Sequence, residues 1–381
     1  MSLMLGEDVV MPRRDLFDPL VPQVRRDPLF EQLRTQPAHA AGRRLMSEVF
    51  AEFVDVDGSF VREFQTGGFS PRVTELALFS YLREQGLSLD NSAAAPDFLT
   101  VGAATVAIEV TTANPPAGTV PGAGGVAAMT PLDLDQAING FVFQMGKAIR
   151  RKLLHRNKDG LAYWELPHVG DAPFVVAVQD FHAPYAHLFS VGALGDYLWG
   201  RREFGLYDPS GRLTVRSSPL TAHQYNGKSI PSGLFAQPEA EYLSGILFTN
   251  EHTVGKFDRL GTQKGYDPPG IARFRFGAAY DPDPDAVEPA IFGYVVGDPA
   301  TGFEETFTDG LHLFVNPRAK RPIDAAALPG ITVHELNDDG NTVTSHRGGL
   351  QALWSRTTIL VGPNALDTAH AEVNRLLAVG D

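Results

Sequence analysis

The sequence predicts a mixed α/β fold, and three stretches carry that expectation. Residues 96–112, PDFLTVGAATVAIEVTT, read as two strands rich in Val, Ile and Thr around a small-residue turn. Residues 131–156, PLDLDQAINGFVFQMGKAIRRKLLHR, place apolar side chains at helical spacing. Residues 172–181, APFVVAVQDF, form a nearly continuous apolar run, which suits a central strand covered on both faces. Strands alternating with helices in this way define the class.

The elements follow in order. DPLFEQLRTQPAHAAGRRLMSEVFAEF reads as a helical lead-in, with Leu45, Val49, Phe50 and Phe53 on one apolar stripe. TGGFSPRVTELALFSYLREQG gives a second helical region, with Ser70 as N-cap, Pro71 in the first helical position and Gly86 as the stop. The hairpin at 96–112 comes next. ANPPAGTVPGAGG then marks a loop by its Pro and Gly content. The long helix and buried strand follow, and YAHLFSVGALGDYLWG reads as helical. Beyond residue 200, YLSGILFTN, IARFRFGAAY, AIFGYVVG and LHLFVNP read as strands among long loops, and ALDTAHAEVNRLLAVG closes as a helix. The expected organisation is a helical segment over 1–64, a core over 65–250 and a strand-rich extension over 251–381. Completing the sheet, recognising a substrate and forming a homodimer contact are all open to that extension.

Composition removes several classes of function. A hydrophobic fraction of 43% is ample for a packed core. No stretch reaches the roughly 18 uninterrupted apolar residues of a spanning helix, and the opening residues hold no signal-peptide run, so a soluble, cytoplasmic protein without a membrane partner is expected. The absence of Cys excludes thiol nucleophiles and Cys-ligated zinc. A net charge of −13 argues against bulk, non-specific nucleic-acid binding but leaves room for one local basic surface.

The hairpin carries an acid on each strand. With the turn centred near Ala103, Val101 faces Thr105 and, further out, Asp97 faces Glu109, because antiparallel partners keep a constant index sum. Opposed β-carbons are about 5 Å apart, so two carboxylates there repel unless positive charge lies between them. Magnesium, which takes oxygen ligands, suits that place. Pro96-Asp97, eleven residues, then Glu109-Val110-Thr111 resembles the PD-(D/E)XK pattern of the restriction endonuclease-like nucleases. The resemblance covers roughly residues 65–200. It implies a central mixed sheet flanked by helices, with Asp97, Glu109 and the Val110 carbonyl binding Mg²⁺ or Mn²⁺. It further implies a role for Glu75 on the preceding helix and phosphodiester hydrolysis in nucleic acid, DNA ahead of RNA.

The family's third position is a Lys, and here it is Thr111. A replacement is expected from the following helix, where Gln144, Lys147, Arg151 and Lys152 are related by steps of three, four and eight. Lys152 is the first choice to orient the attacking water, Lys147 the second, and Gln144 is a hydrogen-bonding aid. Six Lys or Arg between Lys147 and Lys158, among them Arg150, Arg151 and Arg156, form a basic patch for a phosphate backbone. Without a relocated Lys, the same fold would bind nucleic acid or a protein partner and not cut. A retaining glycosidase also needs two carboxylates about 5 Å apart, but the hairpin's neighbours are small and aliphatic rather than aromatic. YWELPHVGDAPFVVAVQDFH, LFTNEHTVGKFDRLG and LFVNPRAK resemble a group of uncharacterised bacterial proteins, which implies no particular activity.

Other motifs are set aside. His182 and His187 are five apart, a poor match to the i, i+4 pair of a helical zinc site. Gly255-Lys256 lacks the Walker A flanks, since Asn250 and Phe257 stand there. PGAGG does not follow directly on a strand, no GxSxG elbow is present, and DPDPD at 281–285 lacks calcium-loop spacing. VHELNDDGN reads as two strands about a turn, and Trp164, Trp199 and Trp354 as core.

Overall fold

A computed structural model describes residues 15–115, 133–183, 186, 191–207, 213–281, 283, 286, 288–346 and 349–380. Four helices lead: α1 (Pro28–Thr35), α2 (Ala40–Glu52), α3 (Phe60–Phe64) and α4 (Phe69–Glu84). After them come β1 (Ser88–Leu89), β2 (Phe98–Val101), β3 (Ala107–Ala113), α5 (Leu134–Leu153), β4 (Phe174–Asp180) and α6 (Val191–Trp199). The next strands are β5 (Arg201–Tyr207), β6 (Leu213–Pro219), β7 (Ala222–Tyr225), β8 (Lys228–Pro231) and β9 (Gly245–Thr249). The chain continues through α7 (Val254–Gln263), β10 (Ile271–Ala279), β11 (Ala290–Val295), β12 (His312–Val315), β13 (Thr332–Leu336), β14 (Thr342–Ser345), β15 (Ala352–Val361) and α8 (Ala365–Gly380).

Eight strands form one mixed sheet in the order β1-β2-β3-β4-β9-β12-β13-β14. The pairs β3–β4, β4–β9 and β12–β13 are parallel and the others antiparallel. Strands from both sides of residue 250 therefore share one hydrogen-bonded sheet. A second sheet, β11-β10-β15, is covered by α8, and β5–β6 and β7–β8 are separate hairpins.

Alternation along the central strands sorts their side chains onto two faces. Ile108, Val110, Val175 and Ala177 join the core beneath α2, α3 and α4. Ala107, Ala113, Phe174, Val176 and Val178 join the core beneath α5 and α6. Phe53, Phe60 and Phe64 anchor the first core, and each fully buried Phe contributes about 1.5–3 kcal/mol. Gly42 and Gly261 let α2 and α7 touch: a β-carbon at Gly261 would lie 2.5 Å from the Ala41 carbonyl oxygen.

Local signals explain the helix ends. Gly86 (φ +67°) ends α4 in a Schellman turn, with Gly86 N–H donating to the Arg83 carbonyl and Leu87 N–H to the Leu82 carbonyl. At its start α4 corrects the expectation. Gly68 is the N-cap and the helix begins at Phe69, so Ser70 and Pro71 lie inside the first turn, where Pro needs no N–H partner. Asp133 caps α5 by accepting from the Gln136 N–H, and Arg150, Arg151 and Lys152 sit at its negative end. The paired strands β5–β8 occupy residues read as loop, because their alternation is short and mostly exposed. The PGAGG stretch, His187 and part of DPDPD lie outside the described residues. Among the described residues no helix is long and apolar enough to cross a membrane.

Candidate active site

The β2–β3 turn is closed by a side chain. Thr100 Oγ1 donates to the Ala104 carbonyl and accepts from Val106 N–H at 2.8 Å. The resulting register pairs Phe98 with Ile108 and Leu99 with Ala107, so Asp97 comes opposite Glu109. Here the acids replace the backbone ladder. Asp97 N–H donates to Glu109 Oε2 at 3.2 Å, and Val110 N–H donates to Asp97 Oδ2 at 2.7 Å. Each carboxylate thus braces the opposite strand.

Glu109 and Thr111 share the face of β3 that looks toward α5. Two cations from the last turn of that helix meet them. Lys152 Nζ is 2.5 Å from Glu109 Oε1, and Arg151 Nη2 donates to Thr111 Oγ1 at 2.8 Å. The Glu109 side chain is only 5% exposed and Lys152 21%, so this ion pair is shielded from water. Tyr163, in the segment after α5, hydrogen-bonds to Glu109; burial and that carboxylate push its hydroxyl pKa up.

Glu75 approaches from α4. It pairs with Arg72 at 2.5 Å, one helical turn before it, and Arg72 reaches back to Glu63 at 2.6 Å. Burial raises the Glu75 carboxyl to about 7; Arg72 opposes the rise and Glu109 adds to it. Asp97 is pushed well above the usual carboxylate range, first by burial, then by Glu109 and Glu75, against the pull of Lys152. Arg72, Glu75 and Asp97 open onto a small cleft whose rim carries Asp55 and Asp57. Three acids and two cations therefore act on one another at the junction of α4, the hairpin and α5. Arg72 and Tyr163 are additions that the sequence did not suggest. Arg72 carried a readable signal in its i, i+3 spacing to Glu75, whereas Tyr163 had none.

The basic helix divides. Five positions separate Lys147 from Lys152, which turns them about 140° apart around the axis. Lys147, Gln144 and Arg150 line a different cleft, against the β7–β8 hairpin. Among the described residues neither Lys147 nor Gln144 has a hydrogen bond or ion pair to the carboxylates. Lys147, the second choice to orient the attacking water, and Gln144, the expected hydrogen-bonding aid, thus line that second cleft and not the one at Asp97. Arg150 hydrogen-bonds to Gln237. Arg156 is held by Glu239 at 3.0 Å and lies over Trp164, so its charge is partly spent within the protein.

The donor set is oxygen-rich and fits a hard cation such as Mg²⁺ or Mn²⁺ better than a soft one. Burial is the first cause of the raised Asp97 pKa; the like charge of Glu109 and Glu75, which adds to it, is the part a divalent cation would relieve. Among the described residues no three His, Cys, Asp or Glu side chains are grouped as ligands of one ion. Elsewhere, His182 is tied to Asp180 at 2.7 Å, and Lys256 of the set-aside Gly-Lys motif is buried in α7, donating to the Asp309 carbonyl. Trp164 is buried, while Trp199 and Trp354 are partly exposed. Comparisons of the chain with protein-family models, with curated proteins and with solved structures found no match in any of the three.

Proposed function

We propose that the hairpin site hydrolyses phosphodiester bonds in nucleic acid, DNA ahead of RNA, with a divalent metal. The observation that supports this most is Lys152. A Lys from the following helix supplies, beside Glu109, the positive charge that Thr111 does not. Asp97 and Glu109 face each other across the hairpin, and Glu75 stands behind them in the same electrostatic field.

Asp97 and Glu109, with Glu75 to assist, would hold the metal. When bound, it lowers the pKa of a water and polarises the phosphate. The chain's own residues do the rest. Lys152 fixes the Glu109 carboxylate and presents an ammonium to charge developing on the phosphorane. Val110 N–H orients Asp97 through Oδ2. Arg72 keeps Glu75 in place on one side and Tyr163 bounds Glu109 on the other. Arg151, through Thr111, stiffens the strand that carries Glu109.

The test is cleavage of a supercoiled plasmid and of labelled oligonucleotides in Mg²⁺ or Mn²⁺. Asp97→Asn is expected to abolish cutting, and Lys152→Ala to slow it about 100- to 1000-fold, the usual effect of removing one group that stabilises developing charge. Absence of cleavage by the wild type in either metal, or wild-type rates in both variants, would refute the proposal.

A further inference from the structure

The second cleft has no role in the chemistry above. It has a volume of about 560 Å³, within the range of small-molecule sites. Its floor is α5 and its wall is the β7–β8 hairpin. The turn of that hairpin, Asn226-Gly227, has φ of +48° and +73°, the two left-handed residues of a type I′ turn. This geometry sets Tyr225 directly opposite Lys228 at the hairpin tip. Asn139 of α5 anchors the hairpin: its Oδ1 accepts from Gln224 N–H at 3.3 Å and lies 3.1 Å from His223 Nδ1.

Two glycines inside α5 make the close approach possible. A β-carbon at Gly140 would sit 3.1 Å from the Tyr225 ring, and one at Gly146 would sit 2.6 Å from the Tyr197 hydroxyl. Each glycine costs a helix about 1 kcal/mol relative to Ala, and here both admit an aromatic ring to the cleft. Phe143 leans on Tyr225, ring centroids 5.7 Å apart at 50°. Three cations, Lys147, Arg150 and Lys228, line the same space, and among the described residues no carboxylate does. That is a local reversal in a chain with 45 acidic and 32 basic side chains. Among the described residues Lys147 and Lys228 have no ion pair.

We propose that this cleft binds an unstacked nucleotide of a single nucleic-acid strand, its base against Tyr225 and Phe143 and its phosphates against Lys147, Arg150 and Lys228. Aromatic faces with flanking cations are what single-strand sites are made of, because every base has a π-face and every linkage a negative charge. A duplex keeps its bases stacked and cannot offer one to a slot between a helix and a hairpin. Position supports the choice. Lys147 of the cleft and Lys152 of the carboxylate site are five residues apart, about 7.5 Å along α5, so both sites draw on the C-terminal end of one helix, on faces turned about 140° from each other. The inference deepens the nuclease reading and rests on it for the choice of nucleic acid as ligand.

The test is fluorescence anisotropy in EDTA, which reads binding without cleavage. The probes are a labelled single-stranded oligothymidylate, the same strand annealed as a duplex, and thymidine 5′-monophosphate as competitor. The wild type is expected to prefer the single strand. Tyr225→Leu, which keeps apolar cover over Gly140, is expected to weaken single-strand binding at least about fivefold and duplex binding much less. Lys228→Glu, on the exposed hairpin tip, is expected to weaken single-strand binding and flatten its salt dependence. Both variants are checked for an unchanged thermal midpoint. Wild-type affinity in both variants, or no single-strand binding by the wild type, overturns the inference. Competition by the mononucleotide as strong as by the oligonucleotide overturns the assignment to a strand. Failure of the nuclease reading is separately visible: single-strand binding that depends on Tyr225, with no cutting in either metal, retains the cleft and removes the chemistry.

Discussion

Replacing Glu75 by Gln isolates the electrostatics of the site. The folded protein holds the Glu75 carboxyl at about 7 against an ordinary 4.5, with burial as the largest cause. Its affinity for a proton is thus higher folded than unfolded. The stability linked to this group is complete below pH 4.5 and is lost as the pH rises through about 7. At about 1.4 kcal/mol per tenfold change in proton affinity, the loss comes to about 3 kcal/mol. Gln is neutral at every pH and can still bond to Arg72, so Glu75→Gln escapes that loss. For a chain of 381 residues, an unfolding entropy of about 2 cal/mol/K per residue converts 3 kcal/mol into about 4 °C. The assay is thermal melting of wild type and variant side by side at pH 4.5, 6 and 8, in EDTA. The melting curves should coincide at pH 4.5, and the variant should lie about 4 °C higher at pH 8. A variant that melts lower at pH 8 than at pH 4.5, relative to wild type, would refute the reasoning. That outcome would mean Glu75 is ionised when folded and that its pair with Arg72 outweighs burial.

Two further perturbations test the frame. Gly261→Ala forces a β-carbon toward the Ala41 carbonyl, a backbone atom that can yield only if α2 and α7 separate. The expected cost is about 1–2 kcal/mol after the gain in helix propensity, and an unchanged melting temperature would contradict the close approach. Glu305 lies between Arg259, at 2.7 Å, and Arg275. Burial pushes its pKa up, but Arg259, Arg275 and Lys256 together hold it well below the usual carboxylate range. Its contribution is present above about pH 4.5 and is lost as acid protonates it, so Glu305→Gln should cost about 3–5 kcal/mol at pH 7 and much less at low pH. Equal destabilisation at pH 7 and pH 3, by urea titration, would count against a charge effect.

Several features of the site could be read from residue order alone. The turn at Ala103 places Asp97 opposite Glu109, because an antiparallel index sum is a local property set by Thr100, Gly102 and the short connection. The helix stop at Gly86 was legible for the same reason, since it depends on backbone freedom at one residue. The mixed α/β class followed from the hairpin, the amphipathic α5 and the apolar β4. Tertiary structure decided what lies far apart in the chain. Periodicity gives the faces of α5 but not the direction each one looks. Only packing shows that Lys152 meets Glu109 while Lys147 turns to the β7–β8 hairpin. Likewise β12, β13 and β14 extend the sheet that contains β3, an outcome of long-range hydrogen bonding that local pattern does not encode. The raised pKa values of Glu75 and Asp97 belong to the same category: they come from burial and from one another's charge, and so exist only once α4, the hairpin and α5 have closed around them.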